Sequence, residues 1–408
     1  MNSVFSEKIG TYFNKLSVGP PSYDKSGKLN NLVAYPLFPS FLSNTPPKIV
    51  TLGEAIQNGL DVVDTGIISR VQVHNDHEVS ILATESEILL GKTQERSIQF
   101  SCILPPRKKT SIAVSCVEEG RPTIPDEKFT AGGACPWPIR SFKNEQLARN
   151  GEPIQFWVWE RIRKYLLDTK TESPTNSLYD SVKKQKKDLI PLSRSYPINE
   201  GQIGVVFSVG SSLYVESFSD PELFADSYKK TLFSALTEAL SLPSNQVVGP
   251  SAIHNLFDRL NKATKNTRIL NNSKKHPGRT IAFGEPFLFG QALIVDKELV
   301  HISVHQRCIG KSKALSILKS ELDAAQTRWE KSPPVFLGKI LSTSRKRKSR
   351  YNVFKKKLKQ SKSIKNKSQK ESTNHSEQYP TSKSEWDIRP FSKSILKLFI
   401  RIFYCDRD

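Results

Sequence analysis

The chain has 408 residues, 37% of them hydrophobic and 25% charged, which is long enough for two or three domains around a buried core and excludes collagen-like and coiled-coil architectures. Lys and Arg number 61 against 40 Asp and Glu, a net charge of +21, but residues 308–408 alone hold 25 basic and 9 acidic side chains. Five cysteines, an odd count without CxxC spacing, exclude a disulfide framework and a zinc knuckle.

The N-terminal sequence lacks a signal-peptide pattern, and no apolar run reaches the length of a membrane span. An intracellular home is expected, cytoplasmic, or nuclear in a cell that has a nucleus. Residues 1–30 are polar and rich in Gly, Ser and Pro, and read as a flexible arm. A β-rich domain is expected over 31–121. It opens with a strand at Leu32–Phe38, followed by a short helix over Thr51–Gly59. Thr51 there is an N-cap candidate with Glu54 at capping-box spacing. Arg70–His74 alternates with period two, and Val79–Ala83, Ser97–Leu104 and Thr110–Val117 carry β-branched residues between turn signals.

An irregular and helical connection is expected over 122–200. Five prolines break residues 122–153, and amphipathic helices follow at Phe156–Leu167 and Leu178–Ile190. An α+β domain is expected over 201–307. Gly204–Val209 reads as a buried strand with Ser212–Phe218 as its hairpin partner, and the glycine permits close backbone approach. Asp220-Pro221 starts a helix to about Leu240, and another covers Ala252–Lys265. Strands return at Thr280–Phe283, Ala292–Val295 and Leu299–Val304. The fold class is therefore α+β: a mainly antiparallel β-domain, a helical linker, an α+β domain and a basic, disordered tail over 336–408. A last helix is expected within 308–335, at Ser312–Glu330.

In the tail, 13 of the 26 residues between 345 and 370 are basic and none is acidic. Arg345, Lys346, Arg347 and Lys348, then Lys355, Lys356 and Lys357, suit contact with phosphates of nucleic acid or an anionic surface through counterion release. The same run reads as a solvated, self-repelling tail.

The densest polar cluster in the strand-rich region runs Glu85-Ser-Glu-Ile-Leu-Leu-Gly-Lys-Thr-Gln-Glu-Arg96, and a second runs Val114-Ser-Cys-Val-Glu-Glu-Gly-Arg121. Together they resemble the ARG and Rhodanese-Phosphatase-superfamily-Associated Protein (ARPP) domain family. Its pattern has an Asp-Gly-Glu-Glu-Leu-Val-Gly-Ala-Lys-Gln-Asn-Arg stretch and a Ser-Cys-Val-Glu-x-Gly-Arg-Trp stretch. The resemblance spans roughly residues 29–307 and includes Thr51-Leu-Gly-Glu-Ala55. Glu87, Gly91, Gln94 and Arg96 match, as do Ser115, Cys116, Glu118, Gly120 and Arg121. Glu85 stands for Asp, Ser86 for Gly, Ile88 for Glu, Thr93 for Lys and Pro122 for Trp. The resemblance implies a ligand related to nucleotides or ADP-ribose.

On the residues themselves, Glu87 and Glu118 are the candidate acid and base, since carboxylates in unlike environments hold different pKa values. Arg96 and Arg121 would clamp a phosphate or carboxylate, and Gln94 would orient substrate. Glu85, Gly91, Ser115, Cys116 and Gly120 complete the expected ligand site. The same residues also read as a buried network that fixes strand register. Cys116 lacks an activating histidine and reads as a small buried hydrophobe. No metal site is expected: His74 and His77 flank a turn, and His301 and His305 lie about 13 Å apart along a strand. The sequence names no cofactor.

Overall fold

The computed structural model of the chain describes residues 2–40, 49–242, 247–264, 267–271 and 277–307. The helix expected at 312–330 and the basic tail lie outside the described residues.

Gly204–Val209 is buried at every position, so both its faces must be covered, and it lies inside a nine-stranded sheet. The order is Leu16–Val18, Leu32–Pro39, Gly204–Val209, Ser212–Phe218, Glu298–Arg307, Leu288–Val295, Arg279–Glu285 and Thr267–Ile269, with Ser22–Tyr23 beside Leu32–Pro39. Every pairing in it is antiparallel. The sheet takes one strand from the segment expected as a β-domain and six from the segment beyond residue 201.

Alternation along the strands sends side chains to two cores. Val206, Leu213 and Val215 pack with helices Asn2–Asn14 and Pro250–Ala263. Val205, Phe207 and Tyr214 pack with helices Trp137–Asn150, Leu178–Ser193 and Pro221–Ser241. On this second face Tyr214 stacks between Trp137 and His305, at 4.5 and 4.8 Å between ring centroids. Asp220 caps the helix Pro221–Ser241 through hydrogen bonds from the Glu222 and Leu223 N–H groups, with Pro at its first position.

The remaining strands form two smaller sheets. One is six-stranded and antiparallel, in the order Thr130–Ala134, Glu87–Leu90, Arg96–Ile98, Lys108–Cys116, Arg70–Asn75, Asp61–Asp64. The other sets Cys102–Leu104 antiparallel and Ile49–Thr51 parallel to Ser80–Ala83. Val62, Val71, Ile81, Ile98 and Leu104 fill the core they share. Thr51 caps the helix Leu52–Gln57 by accepting from the Glu54 N–H, as its spacing predicts.

The architecture is α+β with antiparallel sheets, as expected, but three local expectations need correction. Residues 2–14 are not a loose arm: Phe5, Ile9 and Phe13, four apart on one helix face, are buried against the nine-stranded sheet. Residues 97–104 are not one strand. The chain leaves the six-stranded sheet after Ile98 and joins the three-stranded one at Cys102. Residues 122–153 are not irregular, for they hold the strand Thr130–Ala134 and the helix Trp137–Asn150. Pro138 there lies in the first turn, where a missing N–H costs nothing.

The close approach expected at Gly204 is present. A Cβ there would lie 2.5 Å from Ser217 Oγ and 2.8 Å from the Glu216 carbonyl oxygen, which is backbone and cannot yield. Gly204→Ala should therefore cost about 1–3 kcal/mol by overpacking, measured as a lower urea midpoint at unchanged slope.

Candidate functional site

The first polar motif opens on a tight turn, Thr84-Glu85-Ser86-Glu87, between the strands Ser80–Ala83 and Glu87–Leu90. Ser86 has φ 75°, left-handed backbone where the family pattern places glycine. Neighbours hold it there. Its N–H donates to the Ile98 carbonyl at 3.0 Å, and its own carbonyl accepts from the Cys135 N–H at 2.9 Å. The Glu85 N–H donates to Ser101 Oγ at 2.8 Å. The turn thus carries local strain that its surroundings fix, a common feature of binding sites.

Glu85 and Arg140 are both almost wholly buried, on the turn and on the helix Trp137–Asn150. Arg140 Nε and Nη2 donate to Glu85 Oε1 at 2.9 and 2.6 Å, and Nη2 also reaches Glu216 Oε2 at 2.5 Å. The guanidinium lies over the Trp137 ring, 3.9 Å from its centroid. Glu216 Oε1 meets His301 Nε2 at 2.8 Å, and His301 Nδ1 meets Ser101 Oγ at 2.9 Å. Burial alone would raise the Glu216 carboxyl, but the Arg140 charge and the His301 hydrogen bond outweigh it and hold it below its ordinary value. Arg140 is likewise disfavoured by burial, yet the two carboxylates keep its pKa above the ordinary value.

Glu87 follows two residues after Glu85. Its Oε2 accepts from the Thr84 N–H at 3.2 Å, and its Oε1 pairs with Lys230 Nζ at 2.5 Å. Lys230 comes from the helix Pro221–Ser241 and is 21% exposed, against 6% for Glu87, so this pair stands at the rim. Gly53 flanks it: a Cβ there would lie 3.2 Å from Lys230 Nζ and 3.7 Å from Glu87 Oε1. The glycine of the Thr51-Leu-Gly-Glu-Ala stretch thus gives the pair its space.

Glu85, Glu87, Arg140, Glu216 and Lys230 line one small cleft, partly open to solvent, together with Ser86 and Ser227. Its enclosed space is only about 10 Å³, room for one water-sized polar group and not for a purine ring. Two buried polar atoms of its lining, Glu85 Oε2 and Ser227 Oγ, have no hydrogen-bond partner among the described residues. Such atoms are costly unless water or a ligand satisfies them.

The other expected site residues gather elsewhere. Glu87 falls opposite Ile98 and hence Val114, whereas Glu118 lies four residues beyond Val114, roughly 13 Å along the strand direction. The expected acid–base pair of Glu87 and Glu118 is therefore not one constellation. Glu118 is fully buried, 3.1 Å from Arg121 Nη2, and accepts from Thr175 Oγ1 and the Glu95 N–H. Arg121 also donates to the Gly91 carbonyl at 2.9 Å. Arg96 is fully buried; its Nη1 donates to Gln94 O and Oε1, both at 2.9 Å, and its Nη2 lies 3.5 Å from Asp64. Gly91 and Gly120 admit close backbone: a Cβ would lie 2.9 Å from the Lys128 carbonyl oxygen and 3.0 Å from Thr175 Cα respectively. Ser115 is buried on the strand Lys108–Cys116. Cys116 is buried too, its thiol donating to the Glu118 carbonyl at 2.7 Å, and burial pushes that thiol up to about 11. That is the environment of an inert core cysteine.

Of the residues that line this cleft, the sequence motifs named Glu85 and Glu87 and not Arg140, Glu216, Ser227 or Lys230. Glu216 did carry a signal, since it interrupts a strand that is otherwise apolar or hydroxylic, Ser-Leu-Tyr-Val-Glu-Ser-Phe. Lys230 carried none. Among the described residues no group of three or more His, Cys, Asp or Glu is arranged to hold a metal ion, and no helix is long and apolar enough to cross a membrane.

Two outcomes follow. Arg140→Met leaves the buried acids Glu85 and Glu216 without the guanidinium they share and should cost about 3–5 kcal/mol in urea unfolding. The second concerns Glu95, whose Oε2 accepts from Ser177 Oγ. Burial pushes Glu95 from 4.5 up to about 7, with the Ser177 hydrogen bond opposing and the Glu118 charge adding. The folded state therefore holds this proton more tightly than the unfolded state. The contribution of Glu95 to stability is present below about pH 4.5 and is lost as pH rises through about 7. Glu95→Gln should gain on the wild type in melting temperature from pH 5 to pH 8; a constant offset across that range would refute the assignment.

No curated protein and no solved structure matches the chain. A family profile does, over residues 20–305, a span that includes both polar motifs, the cleft turn and all but the outermost residues of the nine-stranded sheet. The chain belongs to the ARG and Rhodanese-Phosphatase-superfamily-associated Protein domain family.

Proposed function

We propose that this protein binds a polar small molecule of nucleotide or ADP-ribose type by its sugar-phosphate end, with any base outside, at the cleft between the Thr84–Glu87 turn and the helix Pro221–Ser241, and hydrolyses it. The observation that carries this reading is the pair of unsatisfied buried atoms, Glu85 Oε2 and Ser227 Oγ, facing one cleft with the Glu87–Lys230 pair at its rim. A buried carboxylate oxygen without a partner is costly, and its place beside a cleft favours a polar group bound there. Glu87 is the acid–base group, because its partner is a single rim lysine. Glu85 is tied to Arg140 and Ser303 through one oxygen and presents the other to the ligand. Ligand contact passes to the cleft from Gln94, Arg96 and Arg121, which hold the far end of the six-stranded sheet together. The description of the family, which associates it with ARG and rhodanese-phosphatase proteins, fits a nucleotide-related ligand.

A second reading rests on the charge of the C-terminal region, 13 basic and no acidic residues between 345 and 370. It makes the protein a polyanion-binding partner whose affinity falls steeply with salt.

Melting curves of the full chain with ADP-ribose, NAD, nucleotides and phosphosugars, with and without Mg²⁺, test the first reading. A ligand at about 100 times its dissociation constant adds roughly 2.7 kcal/mol, a readily measured shift. We expect a hit that Ser227→Val abolishes, and turnover of that ligand that Glu87→Gln removes. Silence across the panel, with salt-sensitive binding to nucleic acid that Glu87→Gln leaves intact, would replace it by the second reading.

A further inference from the structure

Resting on the cleft reading above, we propose that the group recognised there is a phosphorylated polyol, such as a sugar phosphate. Its hydroxyl fills the inner end between Glu85 Oε2 and Ser227 Oγ, and its phosphate draws Lys230 away from Glu87.

The inner end sets the first half of this specificity. Glu85 Oε2 is an acceptor only, while the Ser227 hydroxyl both donates and accepts. One ligand hydroxyl can donate to the first and accept from the second, which satisfies both. An anion is unsuited to that position, because Glu85, Glu87 and Glu216 line the cleft together. An ammonium is unsuited as well: it offers no acceptor to Ser227, and the Arg140 guanidinium already lies 2.6 Å from Glu85 Oε1. A neutral hydroxyl meets neither objection.

The rim sets the second half. Two cations line the cleft, and they differ in freedom. Arg140 is about 1% exposed and is held by two carboxylates, Ser303 and the Trp137 ring. Lys230 has one carboxylate partner, stands 21% exposed and ends in a flexible stem. An arriving phosphate can therefore capture Lys230 and leave Arg140 in place. Gly53 leaves open the side of the Glu87–Lys230 pair on which a side chain would crowd Lys230. Once Lys230 turns to the phosphate, Glu87 keeps only the Thr84 N–H, and its Oε1 becomes free to accept a proton from a water molecule. The Lys230–Glu87 pair is thus a latch that a phosphate opens, so the catalytic carboxylate is released only when the right ligand is present.

The test titrates the full chain with ribose 5-phosphate, ribose and inorganic phosphate at constant ionic strength, reading binding from melting temperature and calorimetry. Ribose 5-phosphate should bind at least about tenfold more tightly than either part alone, the value of one charge-assisted hydrogen bond. Lys230→Met should reduce it to the level of ribose, and Lys230→Arg should keep most of it. Glu87→Gln should tighten inorganic phosphate, because it removes the resting partner of Lys230; a merely structural pair would give no such gain. Equal binding of ribose and ribose 5-phosphate, or unchanged affinity in Lys230→Met, would overturn the latch. If nucleotides bind in a Ser227-dependent way while ribose 5-phosphate does not, the sugar-phosphate specificity falls and the cleft reading stands. Failure of every probe and every nucleotide would overturn both.

Discussion

The buried guanidinium of Arg140 is the constraint around which the described part of this protein is arranged. It joins the Glu85 turn, the helix Trp137–Asn150 and the sheet strand that carries Glu216, elements separated by 55 and 76 residues along the chain. None of the three charges could be buried alone, since an unpaired ion in the interior costs several kcal/mol. Each is therefore stabilised in the folded state by the other two. His301 and Ser101 extend the chain of hydrogen bonds from Glu216 back to the Glu85 N–H, closing it on itself.

The same polar layer explains how the nine-stranded sheet is registered against the smaller sheets. Ser101 gives its N–H to Gln291 Oε1 at 3.0 Å and accepts from Thr280 through its carbonyl at 2.5 Å. Gln291 also donates to Asn144 at 2.7 Å. Lys143, fully buried, donates to Ser97 and to the Ile98 carbonyl, and burial lowers its pKa. An apolar interface would allow sliding at small cost. A hydrogen-bonded one allows a single register, because any slip leaves several buried groups unpaired. The cleft lies beside this layer, with Glu85, Arg140 and Glu216 common to both.

Much of the fold was legible because local signals agreed with the tertiary outcome. Thr51 and Asp220 cap the helices they announce, and the buried run at Gly204–Val209 pairs across Gly210 with Ser212–Phe218. The failures share a cause. At Asn2–Asn14 the apolar face is only three residues, Phe5, Ile9 and Phe13, and polar neighbours mask it. At Trp137–Asn150 the buried face itself is polar, with Arg140, Lys143 and Asn144 inside, so no hydrophobic period exists to be read. The site followed the same rule. Glu85 and Glu87 stand together in sequence and were visible. Lys230 reaches Glu87 across 143 residues, a proximity only the fold creates.

The departures from the family pattern acquire a physical sense once their places are known. Thr93, where the pattern has lysine, is fully buried: it donates to Asp64 and accepts from the Ile124 N–H at 2.8 Å. Ile88, where the pattern has glutamate, is fully buried in an apolar cluster with Val117, Ile139 and Val158. Pro122, where the pattern has tryptophan, offers its carbonyl to the Gln94 N–H. None of the three lines the cleft. Ser86 does, and it keeps the left-handed backbone for which the pattern uses glycine, adding a hydroxyl at the cost of strain. The residue that replaces the lysine thus belongs to the Asp64 network and not to the cleft, to which the motif contributes Glu85 and Glu87 around a strained turn.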